Sequence, residues 1–155
     1  MNWPVRGFIL VASILPSVVL ARDLPDPRLT PGDTLPVTAQ QVCSPGYAKS
    51  VRHVLRSVRE QVFASYSLPG GNHTGYCAKG CELDHLVSLE LGGSNDPKNL
   101  WPEPYLGTWG ARVKDKVEDR LHAMVCIGKI TLEAAQREIA ANWKAAYRKY
   151  VGASH

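Results

Sequence analysis

Apolar residues along this chain recur with two different periods. Between about residues 45 and 67, Val51, Val54, Leu55, Val58, Val62 and Phe63 fall at helical spacing, with Arg52, Arg56 and Arg59 off the stripe. That pattern predicts an amphipathic helix, and Pro69-Gly70-Gly71-Asn72 ends it. From Glu82 to Leu91 the period becomes two, with Leu83, His85, Val87 and Leu89 alternating against Asp84, Leu86, Ser88 and Glu90. The alternation predicts a strand whose two faces are both partly buried. Gly92-Gly93-Ser94-Asn95-Asp96-Pro97 is a turn cluster, and Asn99-Leu100-Trp101-Pro102 reads as a short return strand terminated by its proline. Helical spacing resumes over 111–125 through Val113, Val117, Leu121, Met124 and Val125, and Gly128 stops it. Thr131 is the expected N-cap of a last helix over about 132–150, striped by Ala135, Ile139, Trp143 and Tyr147.

The order helix, hairpin, helix, helix makes this an α+β chain. A two-stranded hairpin is marginal by itself, so it must pack on a helix, and 111–125 is the natural partner. Two segments lie outside that order. Residues 1–21 combine Arg6, an apolar run GFILVASILPSVVL and small residues before Arg22, which is the form of a cleaved export signal. The run is shorter than the roughly 18 to 20 residues that span a bilayer, so no membrane attachment is expected after cleavage. Residues 22–42 carry several prolines and little periodicity, and are expected to form an extended, mobile lead-in to a domain over 43–151.

Export changes how the cysteines are read. Cys43, Cys77, Cys81 and Cys126 would meet an oxidising compartment, periplasmic or extracellular, and four cysteines allow three pairings. The short Cys77–Cys81 spacing favours a local bridge, leaving Cys43 for Cys126. A zinc site competes, although the paired CxxC spacing of a zinc ribbon is absent. Charge adds little: from Arg22 onward, seventeen Lys and Arg face fourteen Asp and Glu, a net +3. That balance tolerates a polyanionic partner without demanding one. Nothing in the sequence points to an oligomeric state.

Candidate chemistry gathers in CELDHLVSLELGGSNDPKNLWPEPY. Asp84-His85, then Gly92-Gly93, then Asn99-Leu100, with a helix behind them, resembles the HNH endonuclease family. The segment KDKVEDRLHAMVCIG, residues 114–128, is similar to the following helix in small exported bacterial members. The resemblance spans roughly 43–150 and is densest over 82–126. It implies a ββα-metal core and metal-dependent hydrolysis of phosphodiester bonds in nucleic acid, DNA ahead of RNA. It also implies His85 as general base, Asp84 as a ligand of one divalent cation, Mg²⁺ or Mn²⁺, and Asn99 as the residue that pins the loop and orients His85.

Such chemistry needs a proton acceptor near neutral pH, which imidazole is, and hard oxygen ligands for the cation. Asp84 and His85 are consecutive, and strand alternation sends them to opposite faces unless a strand end re-aims one of them. The sequence departs from the family at its third position, where a His or Asn about nine residues past Asn99 is replaced by Thr108. Glu118 and Asp115 are the candidates to complete the metal site, with Glu103 a weaker one. Lys114, at i, i+4 from Glu118, and Arg112 are candidates to bind nucleic acid through phosphate. Two other readings compete with a nuclease: an inactive polyanion-binding descendant, and a disulfide-stabilised interaction module of the cell envelope.

Overall fold

The structure is a computed structural model describing residues 23–69 and 71–152. The proposed export signal at 1–21 lies outside the described residues. Helices α1 (Ala39–Val42), α2 (Tyr47–Val51) and α3 (Arg56–Ser65) precede strands β1 (Cys81–His85) and β2 (Leu100–Pro104). Helices α4 (Ala111–Cys126) and α5 (Leu132–Tyr150) follow. The two strands pair antiparallel, with Asp84 opposite Trp101 and Glu82 opposite Glu103. The chain is thus α+β, with a minimal sheet. Among the described residues no helix is long and apolar enough to cross a membrane.

Both disulfides form with the expected partners, Cys43 with Cys126 and Cys77 with Cys81. The first joins the chain after α1 to the end of α4 across 83 residues of sequence. Closing a loop of that size limits the unfolded chain far more than the local bridge does. The core is continuous, with Leu86, Val87, Leu91, Leu100, Trp101, Val117, Leu121, Ile139 and Trp143 all buried. Trp109 meets Trp143 and Tyr147 edge to face, each at 5.7 Å between ring centroids. These aromatics are packing groups, as their helical spacing suggests.

Four expectations need correction. The strand predicted over 82–91 ends at His85, and residues 86–99 form a compact loop with short 3₁₀ turns at Leu89–Leu91 and Pro97–Asn99. Its alternating apolar residues are buried by the loop folding under itself rather than by a longer ladder. The return strand runs through Pro102 to Pro104, which is possible because a two-stranded sheet has a free side where a missing N–H costs nothing. The first long helix is broken: Arg52, at φ −71° and ψ 95°, leaves helical geometry before α3 begins. Finally, α4 pairs chiefly with α5 and meets the hairpin through the Leu89–Leu91 turn and the Lys114 side chain rather than along the strands, while α3 packs on β2.

The lead-in is extended but tied down. Thr34 bridges to Gly93, the Gly32 N–H donates to the Lys98 carbonyl at 3.0 Å, and the Ser94 N–H donates to the Asp33 carbonyl at 3.0 Å. Thr30 is buried and donates to the Leu100 carbonyl at 2.8 Å. Polar backbone in the lead-in thereby satisfies polar backbone in the loop, which a loose segment could not do.

Candidate functional site

One buried side chain ties the loop between the strands together from within. Asn99 is fully buried, accepts from the Val87 N–H at 2.9 Å, and donates to the Val87 and Ser94 carbonyls, both at 2.9 Å. Gly93 passes so close that a Cβ there would lie 1.8 Å from the Val87 carbonyl oxygen and 2.8 Å from Asn99 Nδ2. Only glycine fits that approach. Asn99 thus fixes residues 87–94, and with them the chain on either side.

Asp84 and His85 leave the end of β1 in different directions. Lys114, wholly buried on α4, donates to Asp84 at 2.6 Å, to the His85 carbonyl at 2.7 Å and to Glu118. Glu103 comes from β2, with Oε2 4.0 Å from Lys114 Nζ. Burial opposes the Lys114 charge, but Asp84, Glu118 and Glu103 outweigh it and hold the ammonium well above its ordinary value. Burial also works against the Asp84 carboxylate, yet Lys114 prevails and keeps it below its usual range. Glu118 goes the other way: burial raises it to about 8 despite the opposing pull of Lys114, with Asp84 adding to the rise. Glu103 is pushed well above the carboxylate range, again by burial first and against Lys114, with the neighbouring Asp84 adding to it.

Three acids therefore surround one ammonium, and two of them must take up protons to be buried there. Glu103 is the telling member. Both of its oxygens are inaccessible, Lys114 Nζ lies 4.0 Å away, and in its protonated form it shares a side-chain hydrogen bond with Asp84. Hard carboxylate oxygens gathered in this way suit a divalent cation that would replace the protons. Asp84, Glu103 and Glu118 would be the oxygen donors for such an ion, with Lys114 Nζ now lying among them, and Asp84 and Glu118 keep 25% and 14% of their side chains exposed.

The remaining candidates are placed elsewhere. Asp115 pairs with Arg112 at 3.2 Å on the outer side of α4, the two side chains 46% and 85% exposed. Asp115 is thus turned away from the acids around Lys114. Lys114 itself is enclosed and cannot reach a phosphate on a macromolecule, which corrects its expected role. Thr108 is exposed in the loop before α4. Among the described residues, the group whose ligand atoms lie close enough to hold a metal is Cys43, His122 and Cys126, within 4.8 Å of one another. Its two sulfurs are joined in the disulfide and so are not available as thiolates.

His85 points toward the loop. Its Nε2 lies 2.9 Å from Asn95 Oδ1, and Asn95 Nδ2 donates to the Val51 carbonyl at 2.8 Å. The second bond fixes which way the amide faces, so the atom presented to His85 is an acceptor. Nε2 then carries the proton and Nδ1 keeps its lone pair. Burial lowers the His85 pKa, against the hydrogen bond to Asn95 and the Asp84 charge, so the ring is neutral near pH 7. The arrangement can accept one proton at Nδ1. Asn95 was not singled out in the sequence, where it reads as one more turn residue; its bond to a helix end 44 residues earlier leaves no local trace.

Comparison with family models, with curated proteins and with solved structures returns no match to this chain.

Proposed function

We propose that this chain is an exported, metal-dependent endonuclease that hydrolyses phosphodiester bonds in nucleic acid, DNA ahead of RNA. The observation that carries the reading is the split of consecutive residues at the end of β1. Asp84 enters a set of acids gathered around Lys114, while His85 is a neutral imidazole whose Nε2 is held by Asn95. The HNH-like order of Asp84-His85, Gly92-Gly93 and Asn99 supports it, and two disulfides support export.

His85 Nδ1 takes the proton of a water whose oxygen forms the new bond to phosphorus, while the bond to the leaving oxygen breaks. Asn95 holds the ring in the tautomer that leaves Nδ1 free, and Asn99 fixes the loop that carries Asn95. A divalent cation, Mg²⁺ or Mn²⁺, held by Asp84, Glu103 and Glu118 would neutralise charge on the phosphate and the leaving oxygen. General-base catalysis contributes typically ~10²- to 10⁴-fold.

Lys114 favours a second reading. It already compensates part of the acid cluster from within, as it would in a descendant that keeps the fold and binds polyanions without cutting. Plasmid DNA and RNA incubated with the oxidised protein in Mg²⁺, Mn²⁺ or chelator separate the two. Metal-dependent nicking that falls at least ~100-fold in His85→Ala supports the nuclease. Binding without cutting by either form supports the descendant. If neither is seen, the envelope interaction module stands.

A further inference from the structure

A nuclease of this kind needs a cation outside the metal set to hold the scissile phosphate, and the expected one, Lys114, is sealed inside the fold. Arg112 is engaged by Asp115. On α3, Arg56 is paired with Glu60 at 2.8 Å, and Arg59 lies over the Phe63 ring at 4.6 Å. Arg52 differs from these in where it is anchored. It is exposed, and it follows directly on Val51, whose carbonyl accepts from Asn95, the residue that holds His85.

We infer that Arg52, at the break between α2 and α3, is the positioning residue that holds a non-bridging oxygen pair of the nucleic-acid backbone beside His85. The inference rests on the nuclease reading and names how that site grips its substrate. Two observations support it. The chain leaves the helix at Arg52 because the Val51 carbonyl is turned to Asn95 instead of continuing the helical ladder. One amide therefore sets both the orientation of the imidazole and the starting point of the arginine side chain.

The residue type suits the task. A guanidinium offers two parallel N–H donors to a phosphate and stays charged at every working pH, whereas an ammonium is a point charge. Arg52 touches backbone rather than bases, so the grip is independent of base sequence. His53 and Leu55, which complete the break, are also exposed and leave the approach open.

Anisotropy of a fluorescent DNA duplex, measured on the oxidised protein in chelator over a range of salt, tests this apart from catalysis. Arg52→Ala is expected to bind more weakly and to reduce the slope of log affinity against log salt by about 1. Arg56→Ala leaves the slope unchanged. Arg52→Lys restores the slope, because it still neutralises one phosphate, but restores only part of the cleavage rate. In metal, Arg52→Ala should lower cleavage by about 10- to 100-fold, the scale of one charged hydrogen-bonding contact. An Arg52→Ala protein with the parent's affinity, slope and rate sinks the inference and leaves the nuclease reading standing. A parent protein that neither binds nor cuts DNA or RNA removes both.

Discussion

The two sides of β1 at its end use opposite means to place a polar group inside the protein. On the Asp84 side, charge is met by charge: Lys114 satisfies Asp84, Glu118 and the His85 carbonyl together, and Glu103 lies 4.0 Å from the same ammonium. On the His85 side, one neutral ring meets one neutral amide at 2.9 Å. The first arrangement makes removal of a single member expensive, because the others are left as uncompensated buried charge. The second is cheap to alter but exact in direction, which is what a proton acceptor needs. Stability is concentrated on one side of the strand and orientation on the other.

The largest test of that contrast is Lys114→Met. It removes the one cation from among three acids while nearly keeping volume, and should destabilise the protein by about 3–5 kcal/mol in chelator. Urea denaturation at pH 7.5 gives the number. The same melt with added Mg²⁺ or Mn²⁺ should recover part of the loss, since the acids gain another cation. A loss below about 1 kcal/mol in chelator would mean that the acids are already neutral without Lys114.

That cluster was only half visible in the sequence, for reasons that specific residues make plain. The run Lys114-Asp115-Lys116 reads as a solvated helix face. Yet Lys114, Val117 and Leu121 lie one above another on α4, and all three are buried, so the lysine sits on the apolar stripe. Glu103 is hidden in the sequence by Pro102, a residue that ordinarily ends a strand. With the observed register, Glu103 lies opposite Glu82 on the face that Asp84 also uses, two residues along. Asp84, His85 and Asn99 were legible because their order is local and the Gly-Gly turn between them is sterically required. The α2–α3 break was not, since the apolar spacing runs on through Arg52 and Leu55; the carbonyl that ends α2 is claimed from a loop far along the chain. Helical periodicity located α4 and α5, whereas period-two alternation overran the strand at His85 and helical spacing ran on through the α2–α3 break.

The next effect in size is the response of the acid cluster to pH. Glu118 titrates near 8 in the folded protein against an ordinary value of 4.5, so between those limits the folded state holds a proton that the unfolded state has released. Stability from that proton is full below the ordinary value and is lost as pH rises toward 8. Glu103 acts in the same direction. His85, whose pKa is lowered, works the opposite way, but only below its ordinary 6.5. Asp84 is ionised in both states throughout. Between pH 7 and 8, then, the midpoint of thermal unfolding in chelator should fall with rising pH, by no more than about 1.4 kcal/mol per pH unit for each proton involved. Mg²⁺ should stabilise more at pH 8 than at pH 7, because it competes with fewer protons. Glu118→Gln should flatten the fall in chelator; an unchanged slope in that variant places the titrating proton elsewhere.

The smallest stability effect belongs to the His85 side, and it is where stability and activity should part. Asn95→Ala removes the bond to His85 Nε2 and the bond to the Val51 carbonyl, neither of which carries a formal charge. Two neutral hydrogen bonds of which one ends on a partly exposed carbonyl are worth about 1 kcal/mol together, well under the cost expected for Lys114→Met. The imidazole, however, loses the group that fixes its tautomer, and the chain at Arg52 loses its anchor. Cleavage should therefore fall by about 10- to 100-fold although the protein stays folded and its urea midpoint hardly moves. Asn95→Asp sharpens the point: a carboxylate beside Nε2 keeps the tautomer but cannot donate to Val51, so it should retain more activity than alanine if orientation of the ring is what matters. Equal losses in both variants would shift the weight to the anchor at the α2–α3 break, and loss of stability comparable to that of Lys114→Met would erase the contrast between the two sides of the strand.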